Sequence, residues 1–378
     1  MSKNITKIVI TGGPCAGKST AMSWIRNAFR QRGYNVLFVP ETATELITGG
    51  VAPWTCGSNT DYQKCQVELQ LTKERLFRQA AETMPDEKIL IVCDRGVMDN
   101  KAYMNEEEFN AVLKALHGEE VTWRDSYDAI FHLVTAANGA EAFYSAANNA
   151  ARYETVEQAV ELDSRLAGAW TGHRYLRIID NSTGFEEKMR RLEEEIAIFL
   201  GEERPYEMER KFLIRFPDLS WLEKNPLCHR VDIDQTYLVS DDNEEIRVRR
   251  RGEKGNYIYY ETHKRILDGM KRMSTETRLS KSEYRRLLKN ADPKRRTIHK
   301  KRYCLTYDNQ YFEIDIYPFW EDKAILEIEL RDEKTPIRFP EEIRVIREVT
   351  DDPEYKNAAL ARYDNKEPGS SGDAGAKS

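Results

Sequence analysis

The sequence lacks the features of a membrane-spanning chain and of a disulfide-bonded one. It contains no apolar run of about 18 residues, the length that a membrane-spanning helix needs. The six cysteines form no CxxC pair, which favours a reduced, cytoplasmic chain with free thiols. We also expect no signal peptide, because Met1-Ser2-Lys3-Asn4 leads directly into a predicted strand. A net charge of −6 over 378 residues argues against broad binding of nucleic acid.

A complete phosphate-binding loop is the most informative feature that is present. It follows a buried strand predicted over 7–11 and precedes a predicted helix. Glycines let backbone N–H groups turn inward around a phosphate, and the helix N-terminus adds positive potential. We expect Lys18 to reach the outer phosphates of ATP or GTP and Ser19 to ligate Mg²⁺. The predicted nucleotide-binding residues of the loop are Gly12, Gly13, Pro14, Cys15, Ala16, Gly17, Lys18, Ser19 and Thr20.

Strands and helices alternate after this loop. Further apolar strands are predicted over 36–39, 89–93, 129–134 and 175–179, and a helix is predicted over about 61–84. The alternation predicts an α/β fold built on a doubly wound parallel sheet. Ligands of such sheets bind beyond the carboxyl ends of the strands, which is also where the phosphate-binding loop falls.

Acidic residues lie at the same strand ends. Asp94 closes the strand over 89–93, and we predict that it is the second ligand of Mg²⁺; the alternative is an Asp that caps a helix or a turn. Glu41 follows the strand over 36–39 and is predicted to hold a substrate hydroxyl or to act as a base, unless it is an ordinary loop residue. Asp99 either assists Asp94 or is simply solvated.

Two arginines stand between the fourth and fifth predicted strands. Arg152 and Arg165 are candidates for a lid over the phosphates, because a guanidinium neutralises the charge that develops during phosphoryl transfer. The alternative is that both form salt bridges on a helix surface. The two interpretations stay open at this point.

Residues 5–200 resemble the small P-loop kinase-like ATPases related to nicotinamide riboside kinases. The resemblance rests on Gly-Gly-Pro-x-x-Gly-Lys-Ser from Gly12, then Val39-Pro40-Glu41, then Cys93-Asp94-Arg95-Gly96. It implies kinase-like chemistry on ATP or GTP and leaves the substrate open. Glu41 and Asp94 are the catalytic candidates of this half.

The spacing of apolar residues changes from helical to strand-like near 201–205. A long helix predicted over about 184–200 stops at Gly201, and alternating strands follow. We therefore predict a nucleotide-binding domain over 1–202 and a second domain over 203–365. The remaining residues, 366–378, show no apolar pattern and are predicted to form a disordered tail.

Charged residues alternate along the predicted strands of the second domain. Side chains two positions apart share a strand face, so acids gather on some faces and bases on others. One interpretation is the solvent face of an ordinary antiparallel sheet. The other is a closed barrel whose acids bind Mg²⁺ or Mn²⁺ and whose bases bind a triphosphate. The acidic set is Glu207, Glu209, Asp315, Glu327 and Glu329. The basic set is Lys211, Arg247, Arg249, Lys264 and Arg302.

Residues 205–364 resemble the CYTH family, also called triphosphate tunnel metalloenzymes. The Glu-x-Glu-x-Lys motif stands at Glu207, Glu209 and Lys211, and Arg247-Val248-Arg249 and Glu327-Ile328-Glu329 follow. The resemblance implies an antiparallel β-barrel whose members hydrolyse, cyclise or only bind triphosphates. It makes Glu207 and Glu209 the catalytic candidates of this half.

The order of the two domains resembles the TRPL translocation defect protein family, whose members bind GTP and phosphoinositides. Two functions are therefore predicted as alternatives. One is a Mg²⁺-dependent ATP- or GTP-binding enzyme whose second domain hydrolyses a metal-bound triphosphate. The other is a non-catalytic adaptor or sensor that binds GTP and inositol phosphates or lipid headgroups, with peripheral contact to a membrane.

Overall fold

The computed structural model describes residues 3–144, 155–202, 208–241, 244–268, 271–330 and 335–362. Three predictions fall outside the described residues: the roles of Arg152 and Glu207 and the tail over 366–378. The chain divides into two compact units. One comprises Met1–Arg204, Glu223–His229 and Leu305–Tyr311, and the other comprises Pro205–Leu222, Arg230–Cys304 and Phe312–Ser378. The domain limits over 1–202 and 203–365 stay a prediction.

The first unit is built on a five-stranded parallel sheet with the strand order β2-β3-β1-β4-β5. This confirms the predicted α/β fold with a parallel sheet. Its strands are β1 (Asn4–Thr11), β2 (Asn35–Val39), β3 (Lys88–Asp94), β4 (Ala129–Leu133) and β5 (Leu176–Ile179). Its helices are α1 (Lys18–Gln31), α2 (Thr42–Thr48), α3 (Asn59–Thr83), α4 (Glu106–Ala115), α5 (Glu120–Arg124), α6 (Val156–Trp170) and α7 (Phe185–Phe199), with a 3₁₀ helix over Val97–Tyr103.

Both faces of the parallel sheet are covered, which explains why its strands are apolar on consecutive residues. On one face, Ile25 and Phe29 of α1 are fully buried in the same cluster as Ile8 of β1. On the other face, Val67 of α3 is fully buried with Ile91 of β3. Burial of each such side chain contributes about 2 kcal/mol to folding. The packing fixes the carboxyl ends of β1, β2 and β3 along one edge of the sheet.

The second unit contains a nine-stranded sheet with the order β10-β9-β8-β7-β11-β12-β13-β6-β14. The pairings from β7 through β8 and β9 to β10 are antiparallel, as are those of β6 with β13 and β14. The strands are β6 (Met208–Arg215), β7 (Cys228–Tyr237), β8 (Glu244–Glu253), β9 (Asn256–Asp268), β10 (Lys271–Leu279), β11 (Ile298–Tyr307), β12 (Gln310–Ile316), β13 (Lys323–Leu330) and β14 (Val345–Glu348). The short helices α8 (Leu219–Lys224), α9 (Lys281–Leu287) and α10 (Asn357–Leu360) accompany them.

The prediction of a closed barrel is wrong for this sheet. Over the ranges that the structure describes, β10 and β14 are edge strands and no pairing joins them. The physical reason lies in β14, which is 4 residues long and exposed at every position. Its pairing with β6 also shifts between Val345 and Arg347. A short, charged and irregular strand ends a sheet because it offers few aligned backbone groups to a further strand.

Candidate functional site

The phosphate-binding loop joins β1 to α1 through two glycines with left-handed or unusual backbone angles. Gly12 has a φ of 142°, and a Cβ at this position would lie 2.1 Å from the backbone oxygen of Leu133. Gly17 has a φ of 93° and caps the N-terminus of α1. The first N–H groups of α1 have no partner within their own helix, so they can bind an anion. The local geometry that the motif predicts is therefore present.

Lys18 begins α1 and lies in the electric field of four charged side chains. Burial, and after it Arg95, lower its pKa to about 8, against the opposing effect of Asp94 and Glu41. Its ammonium group donates a hydrogen bond to the backbone oxygen of Gly12 at 3.4 Å, which is a long contact. A phosphate near this ammonium would restore its charge, because an anion favours the protonated form.

Asp94 ends β3 directly beside β1, where it is paired in register with Ile10. Its Oδ1 atom is buried and accepts no hydrogen bond from any described residue. Burial raises the pKa of this carboxyl above its usual range. A buried oxygen without a donor fits a cation as its partner. Ser19 is exposed in the first turn of α1, so both predicted ligands of Mg²⁺ lie at the same edge of the sheet.

Glu41 and Arg95 form an ion pair next to Lys18. The Arg95 Nε atom donates to Glu41 Oε1 at 2.6 Å. Burial opposes ionisation of Glu41, but Arg95 and then Lys18 outweigh it and lower the pKa of this carboxyl to about 2. Glu41 is therefore ionised at neutral pH and is a weak base. Arg95 was not predicted as a site residue, although it stands next to Asp94 in the motif.

Asp99 is buried rather than solvated. One of its carboxylate oxygens accepts from the backbone N–H of Gly96 at 2.7 Å, and the other accepts from the Thr11 hydroxyl. Arg95 Nη1 lies 3.6 Å from Asp99 Oδ1. Asp99 thus anchors Arg95 and the end of β1, which is a supporting role for the cluster around Lys18.

Two buried residues, Asp163 and Lys188, form hydrogen bonds with the backbone of the phosphate-binding loop. Neither was predicted from the sequence. Asp163 of α6 accepts a hydrogen bond from the backbone N–H of Gly13 at 2.6 Å and lies 3.2 Å from His132 Nε2. Lys188 of α7 donates to the backbone oxygens of Ala16 at 3.3 Å and Val134 at 2.6 Å. No local pattern could reveal these contacts, because they join segments far apart along the chain. The nearby Arg165 is exposed on α6.

The second unit carries opposite charges in register across β13 and β6. Glu327 of β13 faces Lys211 of β6, with Lys211 Nζ 2.6 Å from Glu327 Oε1. One step along, Glu329 faces Glu209. On the neighbouring strand, Glu313 of β12 stands opposite Glu327. These residues occupy one face of the sheet, as their spacing predicts.

Arg302 of β11 lies among three carboxylates of this face. It donates to Asp315 through Nε at 2.7 Å and to Glu327 through Nη2 at 2.7 Å, and it also pairs with Glu313. Lys300 pairs with Asp315 as well and is buried. Lys300 was missed, although it stands two positions before Arg302 and therefore on the same strand face. We call Lys211, Lys300, Arg302 and their carboxylate partners Glu313, Asp315 and Glu327 the ion-pair network.

Three of the arginines of β8, Arg247, Arg249 and Arg251, share one strand face, and Arg249 is paired to Glu276. Arg249 Nη2 lies 2.7 Å from Glu276 Oε2. The Nε atoms of Arg247 and Arg249 are buried and make no hydrogen bond within the described ranges. Burial lowers the pKa of Arg249, and Arg247 and Arg251 lower it further against Glu276. Lys264 of β9 is partly buried and stands opposite Glu245 of β8.

The predicted acidic set is only partly brought together. Glu327, and after it burial, raises the pKa of Glu209 above its usual range, and Glu329 adds to the repulsion. The Glu209 side chain is still 45% exposed, which weakens the effect. Asp315 is held by the ion-pair network instead. Across the described residues, no group of three or more His, Cys, Asp or Glu side chains is arranged to hold one metal ion.

A known family model matches the first unit. Residues 7–188 match a family described as an AAA domain. The match spans the phosphate-binding loop, Asp94 and Asp163, and it confirms that this part of the chain is a P-loop NTPase-like domain. The relationships to nicotinamide riboside kinases and to the TRPL translocation defect protein family stay predictions. No curated protein matches the chain.

Solved structures show a limited likeness. A structure of the hypothetical protein NE1496 is 28% identical, covers 41% of this chain and 97% of that chain, and has a TM-score of 0.31. A structure of the inorganic triphosphatase NE1496 is 28% identical, covers 41% of this chain and 94% of that chain, and has a TM-score of 0.30. PH1012 from Pyrococcus horikoshii is 18% identical, covers 33% of this chain and 80% of that chain, and has a TM-score of 0.25. These TM-scores are low, so the likeness supports no conclusion about this chain.

Within the described ranges, no helix is both long and apolar enough to cross a membrane.

Proposed function

We propose that the first unit binds a nucleoside triphosphate with Mg²⁺ and transfers its terminal phosphoryl group, as a kinase-like enzyme. The observation that carries this proposal is the grouping of Lys18, Asp94, Glu41 and Arg95 in one electrostatic field at the carboxyl ends of β1, β2 and β3. Phosphoryl transfer needs positioning and charge neutralisation rather than a covalent intermediate on the protein.

The residues of this group have different roles in phosphoryl transfer. The loop N–H groups and the N-terminus of α1 bind the phosphates, and Lys18 neutralises the outer ones. Asp94 and Ser19 would hold Mg²⁺, which supplies further charge neutralisation at the phosphates when it is bound. Arg95 is held by Glu41 and Asp99, so its guanidinium stays at the edge of the site.

We test this proposal with ATP and GTP titrated into the full chain in the presence of Mg²⁺. The proposal expects Lys18→Ala to weaken the binding of at least one nucleotide, while Lys64→Ala, which changes a partly exposed lysine of α3, leaves it unchanged. Equal affinities of the wild type and Lys18→Ala for both nucleotides would show that the loop does not bind them.

We propose further that the second unit binds a polyphosphorylated ligand on the face that carries Arg247 and Arg249. The buried Nε atoms of these arginines, which lack hydrogen bonds within the described ranges, carry this proposal. Guanidinium groups bind phosphate oxygens through paired N–H groups. Glu209 and Glu329, with Glu207, would hold Mg²⁺ or Mn²⁺, which would supply an activated water for hydrolysis.

Binding without hydrolysis is favoured by one specific observation. Two of the carboxylates predicted to hold a metal, Asp315 and Glu327, are engaged by Lys300, Arg302 and Lys211. A sensor of inositol phosphates or lipid headgroups would use the arginines and leave this network intact.

Phosphate release from tripolyphosphate with Mn²⁺ separates the two functions. Hydrolysis in the second unit predicts release that survives Lys18→Ala and disappears in the double variant Glu207→Gln, Glu209→Gln. A sensor predicts tripolyphosphate binding that Arg249→Ala weakens, with no release in any variant. If tripolyphosphate neither binds nor is hydrolysed, the assignment of a polyphosphorylated ligand to this face is wrong.

A further inference from the structure

The phosphate-binding loop has a buried side and an accessible side, and its residues alternate between them. Pro14 and Ala16 are buried, whereas Cys15 and Gly17 are partly exposed. The backbone of Cys15 has a φ of 56°, a left-handed angle that is uncommon for a residue with a side chain. Such an angle persists only where the surrounding structure holds it. The contacts on the buried side of the loop therefore determine its shape.

Lys188 of α7 ties the buried side of the loop to the parallel sheet. Its ammonium group donates to the backbone oxygen of Ala16 at 3.3 Å, to that of Val134 at 2.6 Å and to Asn181 Oδ1 at 2.8 Å. Val134 directly follows β4, and Asn181 lies two residues after β5. An ammonium group has three N–H donors, so these three acceptors satisfy it. The buried lysine therefore holds the Ala16 carbonyl in a fixed position relative to the sheet.

Thr135 holds a second carbonyl on the same side of the loop. Its hydroxyl donates to the backbone oxygen of Pro14, and the residue is fully buried. Thr135 stands just after β4, and its own backbone oxygen accepts a hydrogen bond from Asn181 Nδ2 at 2.7 Å. The Pro14 carbonyl is therefore tied to the same carboxyl end of the sheet as the Ala16 carbonyl.

The position of these carbonyls also sets the direction of two N–H groups. A trans peptide bond is planar, so the N–H group of each residue points away from the carbonyl of the residue before it. The Pro14 carbonyl is turned to the buried side, so the Cys15 N–H group faces the accessible side. The Gly17 N–H group does the same, because it follows the Ala16 carbonyl. Inward-turned N–H groups are the ones that bind phosphate in a loop of this type.

Asp163 of α6 fixes the start of the loop in a different way. It accepts a hydrogen bond from the Gly13 N–H group at 2.6 Å, which removes this group from those that can bind phosphate. A Cβ atom at Gly13 would lie 2.8 Å from Asp163 Oδ1, so this contact requires glycine. Burial lowers the pKa of Lys188 to about 8, against the opposing effect of Asp163. The two buried charges on this side of the loop therefore stabilise each other.

We propose that Thr135 and Lys188 are positioning residues of the phosphate-binding loop, which turn two of its N–H groups towards the phosphates of the nucleotide. The proposal rests on the nucleotide binding proposed above. In this role each side chain acts through a backbone carbonyl, without contact to a phosphate. A loop that is held in its binding shape before the ligand arrives loses less conformational entropy on binding, which raises the affinity.

Thr135→Val is the most informative variant, because it removes the hydroxyl and keeps the branched shape. It releases the Pro14 carbonyl, so the affinity of the full chain for ATP or GTP with Mg²⁺ should fall about tenfold. Thr171→Val is the matched control, since Thr171 is also buried and its hydroxyl donates to the backbone oxygen of Ala167 at 3.2 Å, at the C-terminal end of α6. It should lower the melting temperature and leave the affinity unchanged. Calorimetric titration is carried out at a temperature at which both variants are folded.

Lys188→Met tests the second carbonyl contact, because it keeps an unbranched apolar side chain and removes the ammonium group. The affinity should again fall about tenfold. Amide NMR signals distinguish positioning from stability. In the wild type, the nucleotide should shift the amide signals of both Cys15 and Gly17. Thr135→Val should reduce the shift of Cys15. Lys188→Met should reduce the shift of Gly17. If Lys188→Met does not fold, the comparison of Thr135→Val with its control decides the proposal.

The outcomes separate this proposal from the function on which it rests. If the wild type binds neither ATP nor GTP, nucleotide binding fails and the proposal fails with it. If a nucleotide binds in a Lys18-dependent way and Thr135→Val binds it as tightly as the wild type, nucleotide binding stands and the positioning role is overturned. Equal losses of affinity in Thr135→Val and Thr171→Val would assign the loss to general destabilisation, which also overturns it. If the affinity falls but both amide shifts are unchanged, the assigned direction of the N–H groups is wrong.

Discussion

Lys18 of the first unit and Arg302 of the second are both shielded cations, but their surroundings differ. Lys18 has one long hydrogen bond to a backbone oxygen, and burial lowers its pKa to about 8. Burial acts on Arg302 in the same direction, yet Asp315 and the other carboxylates outweigh it and raise its pKa well above its usual range. Within the described ranges, the carboxylates near Lys18 do not outweigh its burial, whereas those around Arg302 do.

This difference distinguishes a cation that can bind a ligand from a cation that stabilises the fold. Among the described residues, none forms an ion pair with Lys18 that a phosphate would have to displace, so the energy of the new contact goes into binding. A phosphate at Arg302 would first have to displace Asp315, Glu313 or Glu327. Within the second unit, Arg247 and Arg249 suit a ligand better than Arg302 does, because Arg249 is paired with one carboxylate, Glu276, whereas Arg302 is paired with three. All three arginines were predicted as phosphate clamps.

The largest effect is expected for Arg302→Met. This change removes the cation that contacts both Asp315 and Glu327 and leaves each of these buried carboxylates with a single lysine, so the unfolding free energy should fall by about 3 to 5 kcal/mol. Urea denaturation of the full chain, followed by circular dichroism, measures the loss. Arg347→Met is the control, because Arg347 is half-exposed and its pairing with Asp352 at 2.9 Å should contribute less than about 1 kcal/mol. Equal losses in both variants would contradict a structural role for the ion-pair network.

Lys18→Ala should show the reverse pattern, with lost binding and retained stability. Charge-assisted hydrogen bonds to phosphate are worth about 1.5 to 3 kcal/mol, so the affinity for the preferred nucleotide should fall about tenfold to a hundredfold. The unfolding free energy without nucleotide should not fall, because a desolvated ammonium is removed. Calorimetric titration tests the expected loss of affinity, and urea denaturation of the same samples tests the expected retention of stability. A stability loss as large as that of Arg302→Met would mean that Lys18 is a structural residue.

The lowered pKa of Lys18 also predicts a pH dependence of stability without ligand. Between pH of about 8 and the usual lysine value of 10.5, the unfolded chain holds a proton that folded Lys18 has released. Stability therefore rises with pH across this window, because the unfolded state binds more protons. Lys188 has its pKa lowered to about 8 by burial and adds to the rise.

Lys18→Met isolates the contribution of Lys18 to this rise. We expect the wild type to gain about 2 kcal/mol more than the variant between pH 8 and 10. Other groups titrate in this range in both proteins, so the difference between the two urea titrations is the relevant quantity. Parallel curves for the wild type and the variant would show that Lys18 has an ordinary pKa.

The fold was predictable where the signal is local. The strands β1 to β5 appear within a few residues of the apolar runs that predicted them, and the loop follows β1 as its motif requires. Closure of the second sheet was not predictable, because it depends on how two edge strands far apart in sequence meet. The residues that end the sheet, Val345–Glu348, carry no motif, and their exposure is a property of the folded chain.

The site was predictable in part for the same reason. Lys18, Asp94 and Glu41 stand at strand ends and in a motif, so they could be singled out from the sequence. Asp163 supports Gly13 across 150 positions, and no spacing rule connects them. Lys300 could have been predicted, because it stands two residues before Arg302 and therefore on the same strand face.

The smallest effect, and the finest test of the comparison, concerns Glu209. If this carboxylate helps to hold a metal, Mn²⁺ should raise the melting temperature of the full chain, because binding to the folded state alone stabilises it. Glu209→Gln keeps the shape, removes one negative charge and should reduce this Mn²⁺ stabilisation by about 1 kcal/mol, since the side chain is 45% exposed and shares its site with other acids. Glu341→Gln, a change at an exposed acid outside the acidic set, should leave the Mn²⁺ effect intact. Without Mn²⁺, Glu209→Gln should not destabilise the fold, because it relieves repulsion from Glu327. If Glu209→Gln instead lowers stability without metal and leaves the Mn²⁺ effect unchanged, Glu209 belongs with Arg302 to the structural charges, and the second unit binds its ligand through arginines alone.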